Sequence, residues 1–165
     1  MILRDYRKED SAIICRWLQS EEEFYKWSAD RYNKYPLSDN DIDENYSAQI
    51  DHGRFYPLTA IDDEGHIVGH FIIRYPLEDD DSTVRFGFII INPEFRRKGY
   101  AKKMIHLGMQ YVRDKLPASR IDLCVFENND NARRCYEKIG FRECARRKWE
   151  LPIGIWDCID MELYL

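Results

Sequence analysis

The sequence predicts an α+β fold on one mixed β-sheet, from three observations. Apolar segments at Phe55–Ile61, His66–Tyr75 and Val84–Ile91 follow one another with short turns between them, which reads as an antiparallel meander. The third segment then leads through a helix from Tyr100 to about Lys115 into an alternating strand, Ile121–Phe126. That is a β-α-β unit, whose strands run parallel, so the sheet must hold both directions. No repeat or flexible linker interrupts the 165 residues, the length of one domain.

In order, Leu3–Tyr6 is a short first strand. Asp10 or Ser11 offers an N-cap for a helix that buries Ile13, Ile14, Trp17 and Leu18 at helical spacing. From Glu21 to Tyr35 the chain is acidic and then aromatic, with no assigned element. After Pro36, Ser38–Asp41 looks like the start of a second helix that runs to about Ile50. Asp62–Gly65 turns the first hairpin, Pro76–Ser82 turns the second, and Asn92-Pro93 ends the central strand. Ala101, Met104, Ile105, Leu107, Gly108, Met109 and Val112 supply the buried side of the long helix. Asn129 or Asn131 can cap a short helix that stops at Gly140, a natural C′ residue. Arg142–Glu150 and Trp156–Leu165 close the chain as two strands around Pro152 and Gly154. The order is β-α-α-β-β-β-α-β-α-β-β, which is not that of a doubly wound dinucleotide fold.

With 25 Lys+Arg against 30 Asp+Glu the net charge is −5, which argues against a nucleic-acid partner, since phosphate neutralisation needs positive potential. At 44% hydrophobic and 14% aromatic the chain can fill a core, so disorder as the main state is excluded. No run approaches the ~20 apolar residues of a membrane span, and charge appears at once in Met1–Asp5, unlike a signal peptide. Cys15, Cys124, Cys135, Cys144 and Cys158 are irregularly spaced, as are His52, His66, His70 and His106. Reduced thiols in a cytoplasm, folding without disulfides, and no metal site are therefore expected.

The sharpest local signal is the strand–loop–helix from Phe86 to Ala101. One glycine, Gly99, and the small Ala101 let successive backbone N–H groups converge at a helix N-terminus, a nest that suits phosphate or pyrophosphate. Arg96, Arg97 and Lys98 add positive charge, and the same residues also suit a plain solvated turn. Neither GxxxxGK[ST] nor GxGxxG is present. A second block runs from Asn129 to Phe141. Together the two blocks resemble the GNAT family of acetyl-CoA-dependent N-acetyltransferases. Arg96, Gly99 and Ala101 match R/Q-x-x-G-x-G/A, and Asn129, Ala132, Tyr136, Gly140 and Phe141 match N-x-x-A-x-x-x-Y-x-x-x-G-F. The likeness covers roughly Leu58 to Phe141, and the element order extends it to both ends.

The resemblance implies a V-shaped cleft between strands Val84–Ile91 and Ile121–Phe126. Backbone groups of Ile89 and Ile91 would meet the pantetheine arm and thioester of acetyl-CoA, with the Ile89 N–H donating to the developing oxyanion. The loop Arg96, Arg97, Lys98, Gly99, Tyr100 and Ala101 would hold the pyrophosphate. Asn129 would contact the coenzyme arm, and Tyr136 would protonate the departing thiolate. A phenol with a pKa of about 10 stays protonated yet lies close to a thiol at about 8.5. No metal is implied.

The chain departs from the family at the general base. The positions where relatives often carry Glu are Arg85 and Cys124. Arg is always protonated and a buried Cys is a neutral thiol; Glu127 is a weaker option, and an ordered water can also take the proton. Cys124 and Cys135 as acyl carriers lack a His/Asp partner pattern. Trp27, Asp30, Arg31, Tyr32 and Tyr35 either shape an acceptor pocket or form a lid on the core. Glu78–Asp81 and the basic positions Arg142, Arg146, Arg147 and Lys148 read as solvated surface. The expected activity is direct acetyl transfer to a primary amine of a small molecule or peptide, by a monomer or homodimer. The alternative is a non-catalytic acyl-CoA-binding module on the same fold.

Overall fold

In–out alternation along the strands sorts the side chains onto two faces of one sheet. The computed structural model describes every residue but Asn33 and Asp51. Its elements are β1 (Ile2–Asp5), α1 (Lys8–Trp17), α2 (Glu21–Ser28), α3 (Asp39–Ile50), β2 (Phe55–Ile61), β3 (Ile67–Arg74) and β4 (Thr83–Ile91). After a 3₁₀ turn at Pro93–Phe95 follow α4 (Tyr100–Lys115), β5 (Arg120–Phe126), α5 (Asp130–Ile139), β6 (Arg142–Leu151) and β7 (Gly154–Tyr164). The seven strands lie in the order β1-β2-β3-β4-β5-β7-β6. All neighbours are antiparallel except β4 and β5, so the sheet is mixed as expected. One face packs Ile73, Val84, Phe86, Leu123 and Met161 against Met104, Ile105 and Val112 of α4. The other packs Ile72, Phe88, Phe126 and Cys158 beneath Ile14, Trp17, Phe24 and Tyr46 of α1–α3.

Three sequence expectations are corrected. Three helices, not two, separate β1 from β2, because the acidic–aromatic stretch contains α2. Its start was legible: Ser20 accepts the Glu23 N–H at 3.2 Å, the S-x-x-E arrangement of a helix N-terminus. Arg7, not Asp10 or Ser11, is the N-cap of α1. Asp10 sits inside the first turn, where it accepts the Arg7 N–H at 3.0 Å and a two-pronged ion pair from Arg4 at 2.6 and 2.7 Å. Finally, Cys124 and Cys158 form a disulfide, against the expectation of reduced thiols only. The cause is the β5–β7 register, which pairs Phe126 with Cys158 and Cys124 with Asp160 and so sets the two cysteines diagonally across adjacent strands. Nothing in a spacing of 34 residues announces that register.

Candidate active site

The β4–β5 pairing stops early. Only Thr83, Val84 and Arg85 have partners on β5, namely Arg120, Ile121 and Asp122. Beyond Arg85 the strands splay into the V-shaped cleft that the resemblance implies. A bulge adds to the opening: His70 pairs with Ile90 but Ile72 with Gly87, so β4 carries one extra residue, and Phe88 adopts φ 50°. The Phe88 carbonyl accepts the buried Trp27 indole N–H at 2.8 Å, so α2 pins the bulge. Gly87 suits this place, because a Cβ there would lie 3.3 Å from Ile72.

A cavity of about 520 Å³ fills the splay. It is lined by Ile89 and Ile91 from β4, by Arg96, Arg97, Gly99, Tyr100 and Ala101 from the loop, and by Asn129 and Tyr136 from α5 and its cap. Two blocks separated by a helix and a strand thus meet around one cavity. Lys98 does not line it, since its ammonium lies over the Phe95 ring at 5.4 Å. Sequence reasoning missed Glu23, Lys26 and Lys102, which line the same space beside Cys135; only the S-x-x-E start of α2 pointed toward the first of them.

The loop has the backbone form of an anion cradle. Arg97 and Gly99 take left-handed φ values of 63° and 84°, and Gly99 is the N-cap of α4. Its N-cap site makes no side-chain hydrogen bond, and nothing lies within 4 Å of where a Gly99 Cβ would stand. Arg96 donates to the Ile91 carbonyl at 3.2 Å and to Glu23 at 2.8 Å, so it braces the loop against β4 and α2. Arg97 and Lys102 make no ion pair among the described residues and leave the cavity electropositive. A pyrophosphate fits this charge and this backbone.

Asn129 is the N-cap of α5 but makes no side-chain cap bond, so its amide is not spent on the helix. Tyr136 is buried against Phe141, with ring centroids 6.0 Å apart, and burial pushes its phenol well above the usual value. Cys135 is also raised by burial, which keeps it a thiol. Cys124 is held in its disulfide; both acyl-carrier options therefore lose their thiolate. Strand pairing also gathers Cys124, Cys158 and Asp160, but a disulfide cannot supply thiolate ligands. The two positions without Glu are likewise resolved: Arg85 grips Asp122 at 2.6 and 3.0 Å across the last β4–β5 rung. Glu127 is bound by Arg146 at 2.6 Å at the surface.

Among curated proteins, the chain is 30% identical over 92 residues to the spermine/spermidine N(1)-acetyltransferase of Bacillus subtilis, which covers 53% of this chain and 60% of that protein. It thus spans about three fifths of the length of the curated relatives it matches. Among solved structures, spermidine N-acetyltransferase from Vibrio cholerae in complex with CoA and spermine superposes with a TM-score of 0.81 at 22% identity, over 98% of this chain and 94% of that one. A dodecameric structure of the same Vibrio cholerae enzyme in an intermediate state gives 0.73 at 22% identity, over 98% and 92%. These likenesses show the fold. Residues 15–141, which hold the splayed strands, the glycine loop and the Tyr136 helix, match the acetyltransferase (GNAT) family, and the chain belongs to it.

Proposed function

We propose that this protein transfers an acetyl group from acetyl-CoA to a primary amine by direct attack in a ternary complex. The observation that carries the reading is the single cavity in which the Arg96–Ala101 cradle, the open β4 edge and Tyr136 come together. In this reading the pyrophosphate lies on the loop N–H groups beside Arg97, and the arm runs along Ile89 and Ile91 past Asn129. The Ile89 N–H donates to the thioester oxygen as it gains charge. The amine nitrogen bonds to the carbonyl carbon, the C–S bond breaks, and Tyr136 gives its proton to the leaving sulfur. Burial holds that phenol protonated, and the same desolvation raises the basicity of the thiolate that receives the proton. The acid that lines the cavity, Glu23, is taken up by Arg96, so the ammonium proton is assigned to water.

The test is thiol release from acetyl-CoA with a panel of primary amines, spermidine and spermine included because relatives are named for them. Release above the hydrolysis rate with at least one amine is expected. Tight coenzyme binding with no turnover across the panel would instead support the non-catalytic acyl-CoA module. Light scattering decides between a monomer or homodimer and a larger assembly like that of the Vibrio cholerae enzyme. Among the described residues no helix is long and apolar enough to cross a membrane.

A further inference from the structure

Where β4 and β5 part, the sheet carries an unexpected charge. The sheet face beneath α1–α3 holds Ile72, and two residues on the same strand Arg74 shares that face. Arg74 is the cross-strand partner of Arg85, at the point where β4 and β5 part. The carboxylates on the neighbouring strands of this face are already matched. Asp122 holds Arg85 at 2.6 Å, Asp160 holds Arg147 at 2.9 Å, and Glu162 holds Arg120 at 3.5 Å. Arg74 alone among these arginines has no ion pair or hydrogen bond to a described residue, although it is half-buried. Burial and the like charges of Arg85 and Arg31 push its pKa down, only partly offset by the more distant charge of Asp122. A half-buried guanidinium without a partner is costly, and a planar fork of donors suits a carboxylate.

A polyamine asks for the opposite surface, with free carboxylates spaced along the cleft. Resting on the acetyl-transfer reading above, we infer that the acceptor is a primary amine that itself carries a carboxylate, with Arg74 as the residue that binds that carboxylate. The interval from Arg85 to Ile89 is four residues at about 3.3 Å each and includes the bulge at Phe88, so at most about 13 Å of strand separates the rung beside Arg74 from the reacting carbonyl. That is the scale of an amino acid or its short derivatives once the arginine side chain reaches forward.

The experiment measures kcat/KM for amino acids of increasing amine-to-carboxylate spacing, each against its neutral amide, with spermidine and phosphoethanolamine as controls. At least a tenfold preference for one acid over its amide is expected. In Arg74→Gln that ratio should fall toward one, and Arg74→Lys should restore part of it. Calorimetric titration of the CoA-loaded protein with the same acids reads binding without turnover. Arg74-dependent binding with no transfer would keep Arg74 as a carboxylate site but sink the transfer reading, and with it the acceptor. Spermidine or phosphoethanolamine outrunning every amino acid would overturn the inference while transfer stands. Equal losses on acid and amide in Arg74→Gln would mark the arginine as merely structural and also overturn it. An absence of both binding and turnover with the acids would do the same.

Discussion

At the scale of single residues, Tyr136 carries the most chemistry per atom. In the proposed mechanism its hydroxyl is the part the reaction needs, while its ring packs on Phe141 whatever the hydroxyl does. Tyr136→Phe should therefore keep coenzyme affinity and lower kcat and kcat/KM together by about 10²–10⁴-fold, the usual worth of a positioned acid. Single-turnover rates are the measurement, because slow product release would mask the loss; a wild-type rate there would reduce Tyr136 to packing. This residue was legible because motif spacing fixes it relative to Asn129 and Phe141. Arg96 was legible as a position but not as a role, since the Glu23 that occupies it comes from a helix 73 residues away. Arg74 left no trace in the sequence, because its isolation depends on which carboxylates the strand pairing gives to its neighbours.

At the scale of elements, two glycines act through opposite constraints. Gly99 stands in open space but at φ 84°, so any other residue there is strained and would also crowd an approaching phosphate. Gly99→Val should lose coenzyme affinity severely while the fold persists at a cost of about 1–2 kcal/mol; an unchanged Kd in a folded variant would refute the cradle. Gly108 has ordinary helical geometry but no room. A Cβ there would lie 2.8 and 2.9 Å from the Phe71 ring and 3.2 Å from Phe86, so α4 rests on the sheet at this point. Gly108→Ala should destabilise by about 1–3 kcal/mol despite the better helix propensity of alanine, and a denaturant midpoint that rises would contradict it. The sequence marked α4 accurately but could not tell its packing glycine from the rest of its buried side. It missed α2 for a related reason: aromatic side chains crowd that helix, and they face the bulge of a distant strand.

At the scale of the whole molecule, stability should depend on pH through His70. It is fully buried, its Nε2 meets the Tyr46 hydroxyl at 2.8 Å, and burial lowers its pKa to about 3. In the unfolded chain a histidine titrates near 6.5. Because the folded value is the lower one, the stabilisation is complete above pH 6.5 and fades as pH falls toward 3, by up to about 1.4 kcal/mol per pH unit. Thermal melts from pH 7.5 to 5 should fall steeply for the wild type and less steeply for His70→Gln, whatever the variant's starting Tm; parallel curves would refute the assignment. The element order, α2 apart, and the mixed sheet were legible because alternation and turn chemistry are local. The Cys124–Cys158 link was not, because it waits on a register set by strands far apart in sequence. The short β4–β5 ladder has a mechanical consequence. Three rungs are all that join β1–β4 to the β5-β7-β6 ribbon within the sheet. Each half pairs its own strands, so the sheet is two plates on a narrow hinge, spanned on one face by the core under α4 and on the other by the core under α1–α3. Amide exchange should accordingly divide the chain into two blocks that open separately, and a ligand wedged between the plates should make them exchange as one.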